Sequence, residues 1–199
     1  MFLLQLLTGE TGAGIDPIMR WLALWPPTPE HIVRRIGGDF HLWQLITYGF
    51  LHGSTAHLAF NMFALWMFGR HIERLWGTAH FLAYYFVCVI GAALVHLTVS
   101  ALGPSGQAVV GASGGVFGIL LAYGLMFPNS IILLIIPPIP MKAKYFVIVF
   151  GLVELWLGLT AHSPSIAHFA HLGGMLFGYV LIQYWRGRFP MKPRYILRR

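Results

Sequence analysis

Ser113, His171, His57 and Asn61 are the residues of this chain whose types and spacing suit acyl transfer. A serine nucleophile needs a base to take its proton and donors to meet the oxyanion formed on attack. Ser113 sits in GASGG (111–115), at a helix start whose backbone N–H groups lack intrahelical acceptors. His171, in HFAHLGG (168–174), can serve as the base. His57 and Asn61 are four residues apart, so they share one helix face and can aim two donors at one point. Together with the Ser113 amide they complete an oxyanion site, and His52 supports the loop or the donor pair. Glu154 is the only acid nearby in sequence. It reads as a mid-helix residue, away from this cluster and structural in role. The expected device is therefore a two-residue Ser–His pair rather than a triad.

Each residue also has a plainer reading. A serine at a Gly-rich helix start is an ordinary cap, and a membrane histidine or asparagine is an ordinary interhelical hydrogen bond. His57 and His171 lie about 7 Å deep by helical rise with Ser113 slightly shallower, and the coincidence of all four on three parallel helices favours chemistry. The remaining histidines (His31, His41, His71, His80, His96, His162 and His168) read as interfacial or structural. Cys88 reads as a small buried apolar residue.

The elements that must position these groups are membrane helices. The chain has 199 residues, 57% hydrophobic and 10% charged. No Asp, Glu, Lys or Arg occurs across 75–141, and Glu154 is the only one across 145–185. Only a bilayer tolerates such runs, and at about 20 residues per helix each holds two crossings. Five full crossings are expected at about 55–74, 80–102, 112–127, 143–160 and 166–185, separated by Gly, Pro and Ser turns. Residues 131–140 carry three prolines and read as an interfacial connector. MFLLQLL (1–7) supplies about 10 Å of helix, a truncated first helix. Residues 8–51 form a long interfacial loop bearing Trp21, Trp25 and Trp43. No cleavable signal peptide is expected. The reading is a single membrane domain over 1–199.

The net charge of +7 would suit a nucleic-acid partner were the basic residues not so placed. Six of thirteen lie in the tail 186–199, and Arg70, Arg74, Lys142 and Lys144 fall at the same end of the crossings. That end is cytoplasmic, which puts Ser113 toward the extracytoplasmic side of the cell membrane and leaves no nucleic-acid role. The glycine pairs Gly114/Gly118 and Gly174/Gly178 let their helices approach closely, which would bring Ser113 to His171.

Three segments, LHGSTAHLAFN (51–61), GASGGVFG (111–118) and AHLGGMLFG (170–178), resemble the rhomboid intramembrane serine proteases. Their order and spacing match over most of the chain. The family pattern of two histidines and an asparagine falls on His52, His57 and Asn61, and its GxSG motif on Gly111 to Gly114. The resemblance implies a rhomboid-like all-α helix bundle with Ser113 as nucleophile, His171 as base, and His57, Asn61 and the Ser113 amide as oxyanion donors. It implies no cofactor and no metal. Substrates would be transmembrane proteins cut in or near a helix that unwinds at the outer face, with a small residue before the scissile bond. There are three departures. Phe117 stands where the family usually has tyrosine against the catalytic histidine, Trp43-Gln44 replaces a Trp-Arg pair, and the first crossing is a stub. The rival readings are a non-catalytic rhomboid-like protein that binds membrane helices and a haem or metal protein using the intramembrane histidines.

Overall fold

The structure is a computed structural model that describes residues 17–27, 38–102, 107–133, 138–160, 165–191, 193 and 196. Helices α1 (Pro17–Leu22) and α2 (Gln44–Thr47) belong to the long loop, and α2 runs into a 3₁₀ turn, Tyr48–Phe50. Helix α3 (Thr55–Ala64) continues through a π-helical turn, Leu65–Gly69, into α4 (Arg70–Trp76). Then come α5 (Thr78–Leu102), α6 (Ser113–Met126), strands β1 (Ile131–Leu133) and β2 (Pro140–Lys142), α7 (Ala143–Thr160) and α8 (Ser165–Trp185).

These bounds agree with the expected crossings to within two residues, because local chemistry stops each helix where the sequence signals it. Ser54 caps α3 by accepting from the His57 amide at 3.1 Å. Gly77, with φ 79°, ends α4 and lets α5 start at once. Two helices, α5 and α7, are long and apolar enough to cross a membrane. Helix α6 has 14 residues, about 21 Å of rise, and α8 is diluted by His168, His171, its glycines and Gln183.

The connector 131–140 departs from expectation in form. Its ends pair as antiparallel strands, with Ile131 opposite Lys142 and Leu133 opposite Pro140. The prolines remove donors but leave a two-stranded edge possible. The truncated first helix (1–7), His31, His162 and tail residues 192, 194, 195 and 197–199 lie outside the described residues.

Helix α8 packs against α5, α6 and α7, and α5 also lies against α6. The core between them contains Phe68, Ile72, Trp76, Tyr84, Cys88, Ile119, Ile182 and Trp185. Small residues set the spacing. A Cβ on Gly118 would strike Cys88 Sγ, and one on Gly174 would strike the Gly114 carbonyl. Helix α7 differs, since Ile148, Val149, Leu152, Val153, Trp156 and Leu159 are all exposed. Those side chains suit lipid, and Glu154 is turned the other way and buried.

The loop is held by Gln44, the residue after Trp43. Its Oε1 accepts from the amides of Trp25 and His41 at 3.2 Å each, and its Nε2 donates to Asp39 O at 3.0 Å and Trp21 O at 3.4 Å. Trp43 Nε1 donates to Trp21 O at 2.8 Å, and both indoles stack with the His41 ring. Tyr48 then ties loop to bundle, donating its hydroxyl to Val89 O at 2.7 Å.

Candidate active site

Ser113 is the first residue of α6, directly after Gly111 and Ala112. Gly111 has φ 130°, a conformation side chains rarely adopt, and its amide donates to Tyr48 O at 3.0 Å. The first helical bond of α6 runs from Val116 N to Ala112 O at 3.0 Å, so the amides of residues 113–115 have no acceptor within the helix. Ser113 therefore combines a hydroxyl with a set of backbone donors that have no acceptor within the helix.

His171 lies two turns into α8, where Gly174 brings that helix onto the Gly114 backbone. The approach carries its Nε2 to 2.7 Å from Ser113 Oγ, a hydrogen bond between residues 58 positions apart. Phe117 stacks on the His171 ring with centroids 4.4 Å apart and planes within 5°. It restricts the ring's rotation without offering a donor.

The His57 ring lies over Gly111, so close that a Cβ there would fall 2.9 Å from its Nε2. His52 is buried and meets His57 edge to face at 5.2 Å. Burial, and then the neighbouring His57, push the His52 imidazole down to about 4. Asn61 is buried one turn further along α3, and its Nδ2 has no hydrogen-bond partner among the described residues. Ser113, His57 and His171 line one cavity of about 130 Å³ together with Tyr48, Gly111, Gly114 and Ala170. Asn61 is not on its wall.

The expectation that Glu154 lies away from this cluster is overturned. Glu154 Oε2 lies 2.8 Å from His171 Nδ1 and also 2.8 Å from His168 Nδ1. The mid-helix reading failed because depth has to be counted from the neighbouring ends of α7 and α8. Glu154 is six residues before the end of α7 and His171 six residues into α8, so each lies about 9 Å from its helix end. A lone acid on a lipid-facing helix was the signal for this contact. His168, three residues before His171, shares its face and reaches the same oxygen.

These three side chains also form a donor set, with ligand atoms within 4.8 Å of one another. Two imidazoles and a carboxylate suit a divalent ion. Hydrogen bonds account for the same spacing. Of the other histidines, His71 contacts Met67 O at 2.9 Å, His80 lies edge-on to Trp185, and His96 is buried in α5.

The sequence matches the Rhomboid domain family across residues 39–188. The chain belongs to the rhomboid family. It is 32% identical over 143 residues to Rhomboid protein 1, mitochondrial, of Saccharomyces cerevisiae, covering 68% of this chain and 39% of that protein. It is 32% identical over 139 residues to Rhomboid protease GluP of Bacillus subtilis, covering 69% of this chain and 25% of that protein. With Rhomboid protease GlpG of Photorhabdus laumondii it shares 29% identity over 181 residues, 90% of this chain and 57% of that protein. The chain thus spans from a quarter to somewhat over half of these rhomboid relatives. Rhomboid proteins are membrane-embedded, and the rhomboid proteases act on transmembrane substrates within the bilayer. The mostly helical rhomboid fold seen here fits that setting.

Proposed function

We propose that this protein is an intramembrane serine protease that hydrolyses a peptide bond in or near the transmembrane segment of another membrane protein. One observation carries the reading: Ser113 Oγ and His171 Nε2, from two separate motifs, meet at 2.7 Å on the wall of a cavity of about 130 Å³. Ser113 Oγ attacks the scissile carbonyl carbon while His171 Nε2 takes its proton. The carbonyl oxygen becomes an oxyanion and accepts hydrogen bonds from the Ser113 amide, His57 and Asn61. His171 then returns the proton to the leaving amine, and an acyl-enzyme remains on Ser113. Water, deprotonated by the same imidazole, hydrolyses it.

The Gly111 and Gly114 edge of the cavity supports a preference for a small residue before the scissile bond. Within this proposal, residues 1–199 form a single membrane domain with five full crossings. Arg70, Arg74, Lys142, Lys144 and the tail lie on the cytoplasmic side, and Ser113 opens toward the other face of the cell membrane. Fractionation of tagged protein distinguishes that membrane from the mitochondrial one named for the yeast relative. The deciding experiment is labelling with a serine-directed fluorophosphonate in detergent. Covalent label on the parent protein and none on Ser113→Ala is expected. An unlabelled parent that also fails to cut any transmembrane substrate supports the non-catalytic reading.

A further inference from the structure

We infer that Glu154 is a positioning residue for His171, making the serine device a three-residue relay anchored on α7. The inference rests on the protease reading above and names a part of the machinery that the Ser–His pair leaves out.

A neutral imidazole carries one proton, on either Nδ1 or Nε2, and only a bare Nε2 can accept from Ser113. Something must hold the proton on Nδ1. Glu154 Oε2, at 2.8 Å from that atom, accepts the Nδ1–H bond and fixes both the tautomer and the ring plane, with Phe117 stacked beneath. When His171 takes the serine proton, the imidazolium is formed against a carboxylate, which stabilises it without itself being protonated.

His168 makes this carboxylate tenable. Glu154 is 8% exposed, on a helix whose other face is lined with exposed apolar side chains. A lone carboxylate there would be costly. The second Nδ1–H, from His168 at 2.8 Å, gives the same oxygen another donor and ties its position to α8. The relay then reads Ser113 Oγ, His171 Nε2, His171 Nδ1, Glu154 Oε2, with contacts of 2.7 and 2.8 Å.

The test is Glu154→Gln, assayed by fluorophosphonate labelling and by cleavage of a model transmembrane substrate. A carboxamide is nearly isosteric but can turn its NH₂ toward Nδ1, which leaves the His171 proton on Nε2 and blocks acceptance from Ser113. The expected result is a drop in labelling rate and kcat of about 100-fold or more, with apparent KM changed less than about threefold. His168→Phe, which leaves the Glu154 to His171 contact in place, should lose far less, at most about tenfold. A structural bond between α7 and α8 would instead lower the melting temperature in both variants alike while sparing kcat in the folded fraction, and that overturns the inference. Should Glu154→Gln fail to fold, ¹⁵N spectra of the parent's imidazoles at pH 8 decide. A protonated Nδ1 and bare Nε2 on His171 uphold the relay, and the opposite tautomer overturns it. Glu154→Gln labelling as fast as a labelled parent sinks the relay alone, whereas an inactive parent sinks the protease reading and the relay with it.

Discussion

The Cα of Gly174 faces the backbone carbonyl of Gly114, so α8 and α6 touch backbone to backbone beside the Ser113 and His171 pair. No side chain fits between them. Gly174→Ala must therefore separate the helices, and separation lengthens the 2.7 Å contact from His171 Nε2 to Ser113 Oγ. The expected outcome is at least 100-fold slower cleavage and a stability loss of about 1–3 kcal/mol, as for other overpacked sites. Thermal melting and fluorophosphonate labelling on one preparation check it, and a variant that keeps the parent's rate would show that the close approach is not what sets the contact.

That approach was legible in the sequence, because glycines at Gly114, Gly118, Gly174 and Gly178 have few uses in adjacent apolar helices other than close packing. Helix limits were legible for a similar reason, since Gly77, Gly111 and the prolines after Phe127 interrupt runs that apolarity alone would continue. Glu154 was harder to place. Its partner is set by the depth at which α7 and α8 lie side by side, which emerges only when residues are counted from the end of α7 and the start of α8. The 131–142 hairpin was hidden because prolines weaken strand signals. Gln44 was hidden because its four partners, on Trp25, His41, Asp39 and Trp21, are brought together by the folded loop.

Ser113→Ala and His171→Ala should each abolish cleavage while the protein still inserts and melts within a few degrees of the parent. A methyl group cannot form an acyl bond, and no other described base lies within hydrogen-bond distance of Ser113 Oγ. Turnover above about a tenth of the parent rate in Ser113→Ala would remove the nucleophile assignment.

His57→Ala and Asn61→Ala should lower kcat by roughly 10- to 1000-fold, the usual cost of losing one oxyanion donor. Asn61 is the sharper test. Its Nδ2 is buried without a partner among the described residues, so it has a donor free to meet an oxyanion. If Asn61→Ala turns over normally while His57→Ala does not, the oxyanion site consists of His57 and the Ser113 amide, and Asn61 is a packing residue.

Gln44→Leu should destabilise the fold by about 2 kcal/mol or more, since it strips partners from two amides and two carbonyls around a buried side chain. The loss should show first in the loop. Hydrogen exchange at Trp25 and His41 is expected to quicken well before the helices, because the core around Tyr84 and Ile182 makes no use of Gln44. Uniform loss of protection across loop and helices would mean instead that loop and bundle unfold together.

Acidification should weaken the junction between loop and α3 through His52, which precedes the helix and has its imidazole pushed down to about 4 by burial and by His57. In the unfolded chain an imidazole titrates near 6.5, so the unfolded state takes up a proton at higher pH than the folded state does. Stability from a neutral His52 is thus complete above about pH 6.5 and is lost as the pH falls from there toward 4. Melting temperatures of the parent measured at pH 7.5 and pH 5 should differ by more than those of His52→Gln, whose side chain cannot take up that proton. Other buried histidines contribute to the raw acid sensitivity of both proteins, so the difference between parent and variant is the quantity that isolates His52. Equal pH dependence in the two would mean that His52 is as readily protonated in the folded protein as in the unfolded chain, and that its edge-to-face contact with His57 at 5.2 Å survives protonation.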